Sequence, residues 1–170
     1  SMDDKPKQRV ASDNEETLSF HDFLEDRKTS TLKKYQMIVL GEPNVRRLLT
    51  YELLTFFLTY MPGMPGLFLR QKAYRWLFKR LGRKTTIGVG VALRQPKKID
   101  IGSHCVIDDS VFLSVRGSDQ SGISIADKTY LGRNTELKVR EGSIQIGESC
   151  SIGSQCRMAI HDGKIAIGRD

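Results

Sequence analysis

Four times in the second half of this chain the same short phrase returns: Ile99-Asp100-Ile101-Gly102, Ile123-Ser124-Ile125-Ala126, Ile144-Gln145-Ile146-Gly147 and Ile165-Ala166-Ile167-Gly168. After each of the first three, an aliphatic recurs at every sixth position. Ile101 leads to Ile107 and Leu113, Ile125 to Leu131 and Leu137, and Ile146 to Ile152 and Met158. A fixed period of this kind is the signature of a solenoid built from identical supersecondary units, here a parallel β-helix of hexapeptide repeats. The alternating strands of a sandwich would not hold one register across so many units.

The residue types at each position agree with that geometry. The position after each aliphatic is small (Gly102, Ala126, Gly132, Gly147, Gly153, Gly168), as close backbone approach requires. Four residues after each aliphatic comes a second inward position, occupied by Cys105, Val111, Thr129, Thr135, Cys150 and Cys156. All are slim or β-branched, which suits a narrow interior. The coil-to-coil distance is 24 residues from Ile101 to Ile125, then 21 to Ile146 and 21 to Ile167. Three hexapeptides account for part of that, so each turn carries a short excursion: Arg116–Gly122, Arg140–Ser143 and His161–Lys164. These fall at one place in the coil and are expected to stack at one corner. Ile87-Gly88 and Leu93 read as an imperfect first turn, with Arg94–Lys98 as its excursion.

Three regions follow: residues 1–45 as a polar, largely flexible N-terminus; 46–84 as an apolar and basic helical region; and 85–170 as the β-helix, expected to be incomplete at its C-terminal end. The initial Ser-Met looks like a tag remnant. Within the first region, Leu18–Leu24 is expected to form one short helix entered through Ser19. Three cysteines, all at inward positions, make neither a disulfide framework nor a metal site. With a charged, polar N-terminus and no secretory signal, they suit a reducing, cytoplasmic compartment.

The net charge is +7, but its distribution says more. Between Leu53 and Ile99 there is no Asp or Glu, against ten Lys or Arg. Leu48–Tyr60 is apolar almost all round, Met61–Gly66 interrupts it with two Pro-Gly-type breaks, and Arg70–Arg83 reads as a basic amphipathic helix. Tyr74, Trp76, Leu77, Phe78 and Leu81 would form its apolar side, and Arg70, Lys72, Arg75, Lys79 and Arg80 its polar side. The apolar stretch is too short for a membrane span, which needs about 20 residues. Residues 48–83 instead suit contact with a membrane surface, with Trp76 and Tyr74 at the headgroup level. The competing expectation is that they pack under the β-helix or against a second subunit. No nucleic-acid motif accompanies the charge, so nucleic acid is not expected as a partner.

The hexapeptide phrases, above all Ile101-Gly-Ser-His-Cys-Val-Ile-Asp-Asp109, resemble the left-handed β-helix acyltransferases. The run from Leu67 through Arg83 to Ile87-Gly-Val-Gly90 is similar to bacterial sugar O-acetyltransferase-like members with an N-terminal helical extension. The resemblance covers roughly Leu53–Asp170 and is far more specific for fold than for reaction. It implies a left-handed coil and a homotrimer with active sites between adjacent prisms. It also implies acetyl-coenzyme A or another acyl-coenzyme A as co-substrate, no metal, and a saccharide or saccharide-lipid acceptor, with the enzyme cytoplasmic or peripheral on the inner membrane face. A general-base histidine would assist direct attack of the acceptor hydroxyl or amine on the thioester. His161, in a stacked excursion beside Asp162, is the best available base in the chain. His21 lies in the N-terminus and His104 at an outward hexapeptide position, and the alternative expectation is a base located past Asp170. Register alone stacks Arg116, Arg140 and His161, so the two arginines become candidate ligands for coenzyme A phosphates, unless Asp119, Glu141 and Asp162 neutralise them. The alternative function is a non-catalytic trimeric scaffold that docks to a membrane or protein partner.

Overall fold

A computed structural model describes residues 30–168. Among these residues are three α-helices, α1 (Thr31–Val39), α2 (Val45–Leu58) and α3 (Gly63–Ala73), and then thirteen short strands. The strands form three parallel sheets, one per face of a solenoid. Face 1 holds β1 (Arg80–Leu81), β4 (Ile99–Ile101), β7 (Gly122–Ile125), β10 (Ser143–Ile146) and β13 (Lys164–Ile167). Face 2 holds β2 (Thr86–Ile87), β5 (Val106–Ile107), β8 (Tyr130–Leu131) and β11 (Ser151–Ile152). Face 3 holds β3 (Ala92–Arg94), β6 (Phe112–Val115), β9 (Glu136–Val139) and β12 (Arg157–Ile160).

The register is the one the repeat demands. Ile101 stands over Ile125, Ile107 over Leu131, and Leu113 over Leu137. Leu93, Ile101, Ile107, Leu113, Ile125, Leu131 and Leu137 are all buried in one core with Cys105 and Val111, and Thr129 and Thr135 are buried at the same inward positions. The two threonines turn their hydroxyls onto carbonyls of the next coil, Gly147 and Gly153. That keeps a polar atom in the interior satisfied.

The N-terminal half departs from expectation in three places. The amphipathic helix expected over Arg70–Arg83 stops at Ala73, continues as a single 3-10 turn (Tyr74–Trp76), and then becomes strand β1. Leu81 therefore belongs to the solenoid: it pairs with Ile101 and opens a first coil completed by Ile87 and Leu93. A two-residue strand carries too little pattern to be told from the end of a helix. Second, Arg70 is not on a polar face but buried, and Tyr74 is buried rather than free for a membrane interface. Third, α3 starts at Gly63, inside the Pro-Gly break, because Pro65 falls in the first turn, where its missing N–H costs nothing. Helix α1 also begins within the stretch expected to be flexible; the Leu18–Leu24 helix and His21 lie outside the described residues.

Helix α2 is entered through Asn44, whose side chain accepts from the Arg47 amide. Its inner stripe, Leu48, Tyr51 and Leu58, is buried, as are Gly66, Arg70 and Tyr74 following it in the chain. Tyr51, Leu58 and Tyr74 join the solenoid core directly.

Candidate functional site

Along a parallel strand successive residues turn their N–H and C=O groups alternately towards the two ends of the solenoid. Gly88 donates to Ile107 O, Arg116 to Val139 O and Arg140 to Ile160 O, so the carbonyls of these inward-facing residues point to the N-terminal end. The helices supply donors for the first coil. Tyr51 Oη donates to Leu93 O at 2.9 Å and Arg70 Nε to Ile87 O at 2.8 Å. The helical region is therefore a cap on the solenoid, and its inner surface is committed to that work.

The stacked corner lies between faces 3 and 1. Arg116, Arg140 and His161 each follow the last residue of a face 3 strand, and hydrogen bonding places them one coil apart, about 4.8 Å at ordinary strand spacing. The expected column is present. Arg140 Nη1 lies 3.3 Å from His161 Nδ1, so the guanidinium, a donor only, faces the ring nitrogen that accepts in the Nε2–H tautomer. Burial, and next the charges of Arg140 and Arg94, hold the Arg116 guanidinium below its ordinary pKa.

Beside this column, face 3 forms an open groove of about 370 Å³ lined by Phe112, Ser114, Lys138, Arg157 and Ala159. Lys138 Nζ sits 5.2 Å above the Phe112 ring and 2.9 Å from Glu136, which also meets Arg157 at 3.2 Å. Glu136 is held below the usual carboxylate range chiefly by the Lys138 hydrogen bond. Arg116, Lys138, Arg140 and Arg157 thus converge on one groove wall, where Glu136 pairs with Lys138 and Arg157. Sequence reasoning missed Lys138 and Arg157. The available signal was their place at outward, period-two positions of strands whose neighbours point inward.

Two of the acids expected to neutralise the column, Glu141 and Asp119, engage other groups. The Glu141 carboxylate accepts from the Ser118 amide and hydroxyl and from Ser121 Oγ, clamping the turn one coil above it. Asp119 lies 4.0 Å from Lys98. That side of the corner borders a second cleft of about 560 Å³ on face 1, lined by Lys79, Lys97, Lys98, Asp100, Ser124 and Gln145 among others. His104 is exposed, as its outward position predicts, in a left-handed backbone conformation with φ of 57°.

Glu141 carries a pH prediction. Its serine hydrogen bonds, that from Ser121 foremost, lower its pKa in the folded protein. Its contribution to stability is complete above the ordinary glutamate value of about 4.3 and is lost as pH falls through the lower folded value. Urea midpoints measured from pH 6 down to pH 3 should fall less steeply for Glu141→Gln than for wild type. Parallel declines would show that the clamp adds nothing.

Fold and site together define a parallel β-solenoid with a helical N-terminal cap and a basic groove beside one stacked corner. Comparison with protein-family models, with curated proteins and with solved structures gave no match.

Proposed function

We propose that this protein is an acyltransferase of the hexapeptide-repeat kind, moving an acetyl or other acyl group from a coenzyme A thioester to a hydroxyl or amine of a saccharide-type acceptor. The observation that carries the proposal is the convergence of Arg116, Arg140, Lys138 and Arg157 on the face 3 groove, with His161 at the end of the column. Closely spaced guanidinium groups suit the phosphates of coenzyme A, which they can bind through paired N–H donors.

In the reaction His161 would take the proton of the acceptor as its oxygen or nitrogen attacks the thioester carbonyl. The carbon–sulfur bond then breaks, and the thiolate leaves and is protonated. Arg140 opposite Nδ1 engages the lone pair that a base needs in the Nε2–H tautomer. A phosphate drawing Arg140 away would free it, which links cofactor binding to the base. A homotrimer, as in the enzymes this chain resembles, would close the open groove with a neighbouring prism. The same Arg140 contact favours the second reading, a scaffold that uses the groove without chemistry.

Isothermal titration with coenzyme A and acetyl-coenzyme A tests the proposal. Arg140→Ala should weaken binding about ten-fold, the loss of one charge-assisted contact. His161→Ala should retain binding and lose thiol release in the presence of acceptor. Failure of wild type to bind either compound removes the transferase; binding with no thiol release from any saccharide acceptor supports the scaffold.

A further inference from the structure

The outer faces of the cap helices are apolar where surface helices are ordinarily polar. On α2 and the turn that follows it, Val45, Leu49, Leu53, Phe56, Phe57 and Tyr60 follow one another at helical spacing, and all are exposed, Phe56 by 78 % and Phe57 by 61 %. They lie opposite the buried stripe Leu48, Tyr51 and Leu58. On α3 and its continuing turn, Met64 and Phe68 are exposed at one spacing, Lys72 and Arg75 continue the same face, and Trp76 beside them is 77 % exposed. The inner faces already close the first coil, so this outer surface is not needed for the fold.

We propose that the outer face of α2 and α3 docks onto an anionic lipid surface, the two helices lying in the plane of the headgroups. Charge selects this occupant. The chain from Leu53 to Ile99 holds ten Lys or Arg and no acid, and Lys72, Arg75 and Lys79 are exposed on it. A second copy seated on the same face would set this positive field against itself, whereas anionic headgroups neutralise it. Apolar and aromatic side chains ringed by cations are the composition that interfacial helices use. Among the described residues no helix is long and apolar enough to cross a membrane, which agrees with lying on it. The exposure of Trp76 and Tyr60 suits the headgroup boundary, where an aromatic ring keeps one polar edge wet. This proposal stands independently of the transferase: it rests on the cap, not the groove.

Trp76 is the only tryptophan, so its fluorescence reports on this face alone. The full chain is titrated with phosphatidylglycerol vesicles and with phosphatidylcholine vesicles, following Trp76 emission and co-sedimentation. A blue shift and sedimentation with phosphatidylglycerol, weakened by salt and much weaker with phosphatidylcholine, is the expected result. The pair Lys72→Glu and Arg75→Glu should reduce partitioning more than about ten-fold, at roughly 1 kcal/mol per lost basic residue and further repulsion from the added acids. Phe56→Ser with Phe57→Ser should do so too, without moving the urea midpoint, since both side chains are solvent-exposed. No binding to phosphatidylglycerol overturns the proposal. So does a self-association, measured by sedimentation velocity, that the Phe56→Ser and Phe57→Ser changes abolish while vesicles bind neither protein.

Discussion

Replacing Arg70 by methionine should cost this protein about 3–6 kcal/mol of folding stability, because buried acceptors left without donors each cost about 1–3 kcal/mol. Arg70 is 1 % exposed, and burial pulls its pKa below the ordinary arginine value. It donates from Nε to Ile87 O at 2.8 Å and from Nη1 to Leu58 O at 2.8 Å and Met61 O at 2.7 Å. One side chain thus closes the first coil, the end of α2 and the turn before α3. Gly66 makes room for it: a methyl there would overlap Met61 O and press on the guanidinium. Methionine fills similar volume but leaves these carbonyls facing apolar neighbours. Lysine keeps the charge yet offers a single ammonium in place of a planar fork, so Arg70→Lys should recover only part of the loss. Urea midpoints with unchanged slopes would measure both. A loss under about 1 kcal/mol for the methionine variant, the net size of one ordinary hydrogen bond, would mean that water replaces Arg70 at the cap.

The second large effect belongs to the stacked corner. Gly117, Gly142 and Gly163 all have positive φ, of 89°, 94° and 117°. At Gly142 an added methyl would overlap the Gly163 carbonyl oxygen of the next coil, whereas at Gly163 it would meet nothing among the described residues. The pair separates two costs. Gly163→Ala bears only backbone strain, about 1–3 kcal/mol less the partial offset from a stiffer unfolded chain. Gly142→Ala bears that and the overlap, which can be relieved only by parting β10 from β13, for a total of about 3–5 kcal/mol. Thermal and urea unfolding of the two variants should differ clearly in that order. Equal losses would show that the coils separate without cost at this end, and that stacking does not hold the corner together.

These two sites differ in how far they could be read from the chain. The corner was legible. Arg116, Arg140 and His161 were aligned by counting from Leu113, Leu137 and Met158, and the register of β6, β9 and β12 bears the alignment out. Counting works because a solenoid makes sequence distance and spatial distance proportional, with each residue packed beside its repeat partner. Lys138 and Arg157 escaped it, since they sit on strands and were not sought among the excursions. The burial of Arg70 was not legible at all. By period and charge it belongs to the polar side of a helix, and nothing local distinguishes it from Lys72 two residues later.

The chain alone determined the parallel β-helix, its three inward columns, the place of its excursions and the apolar, basic character of the segment before it. Each of these is a property of spacing and side-chain type, which the sequence states directly. Only the tertiary structure decided where the helices end and the first coil begins, and which way each helix face turns. Those depend on the open carbonyls of the first coil, which must find donors and which take Arg70 and Tyr51 inward to supply them. Once these are committed to the solenoid, the opposite faces, with Phe56, Phe57 and Trp76, are left turned outward.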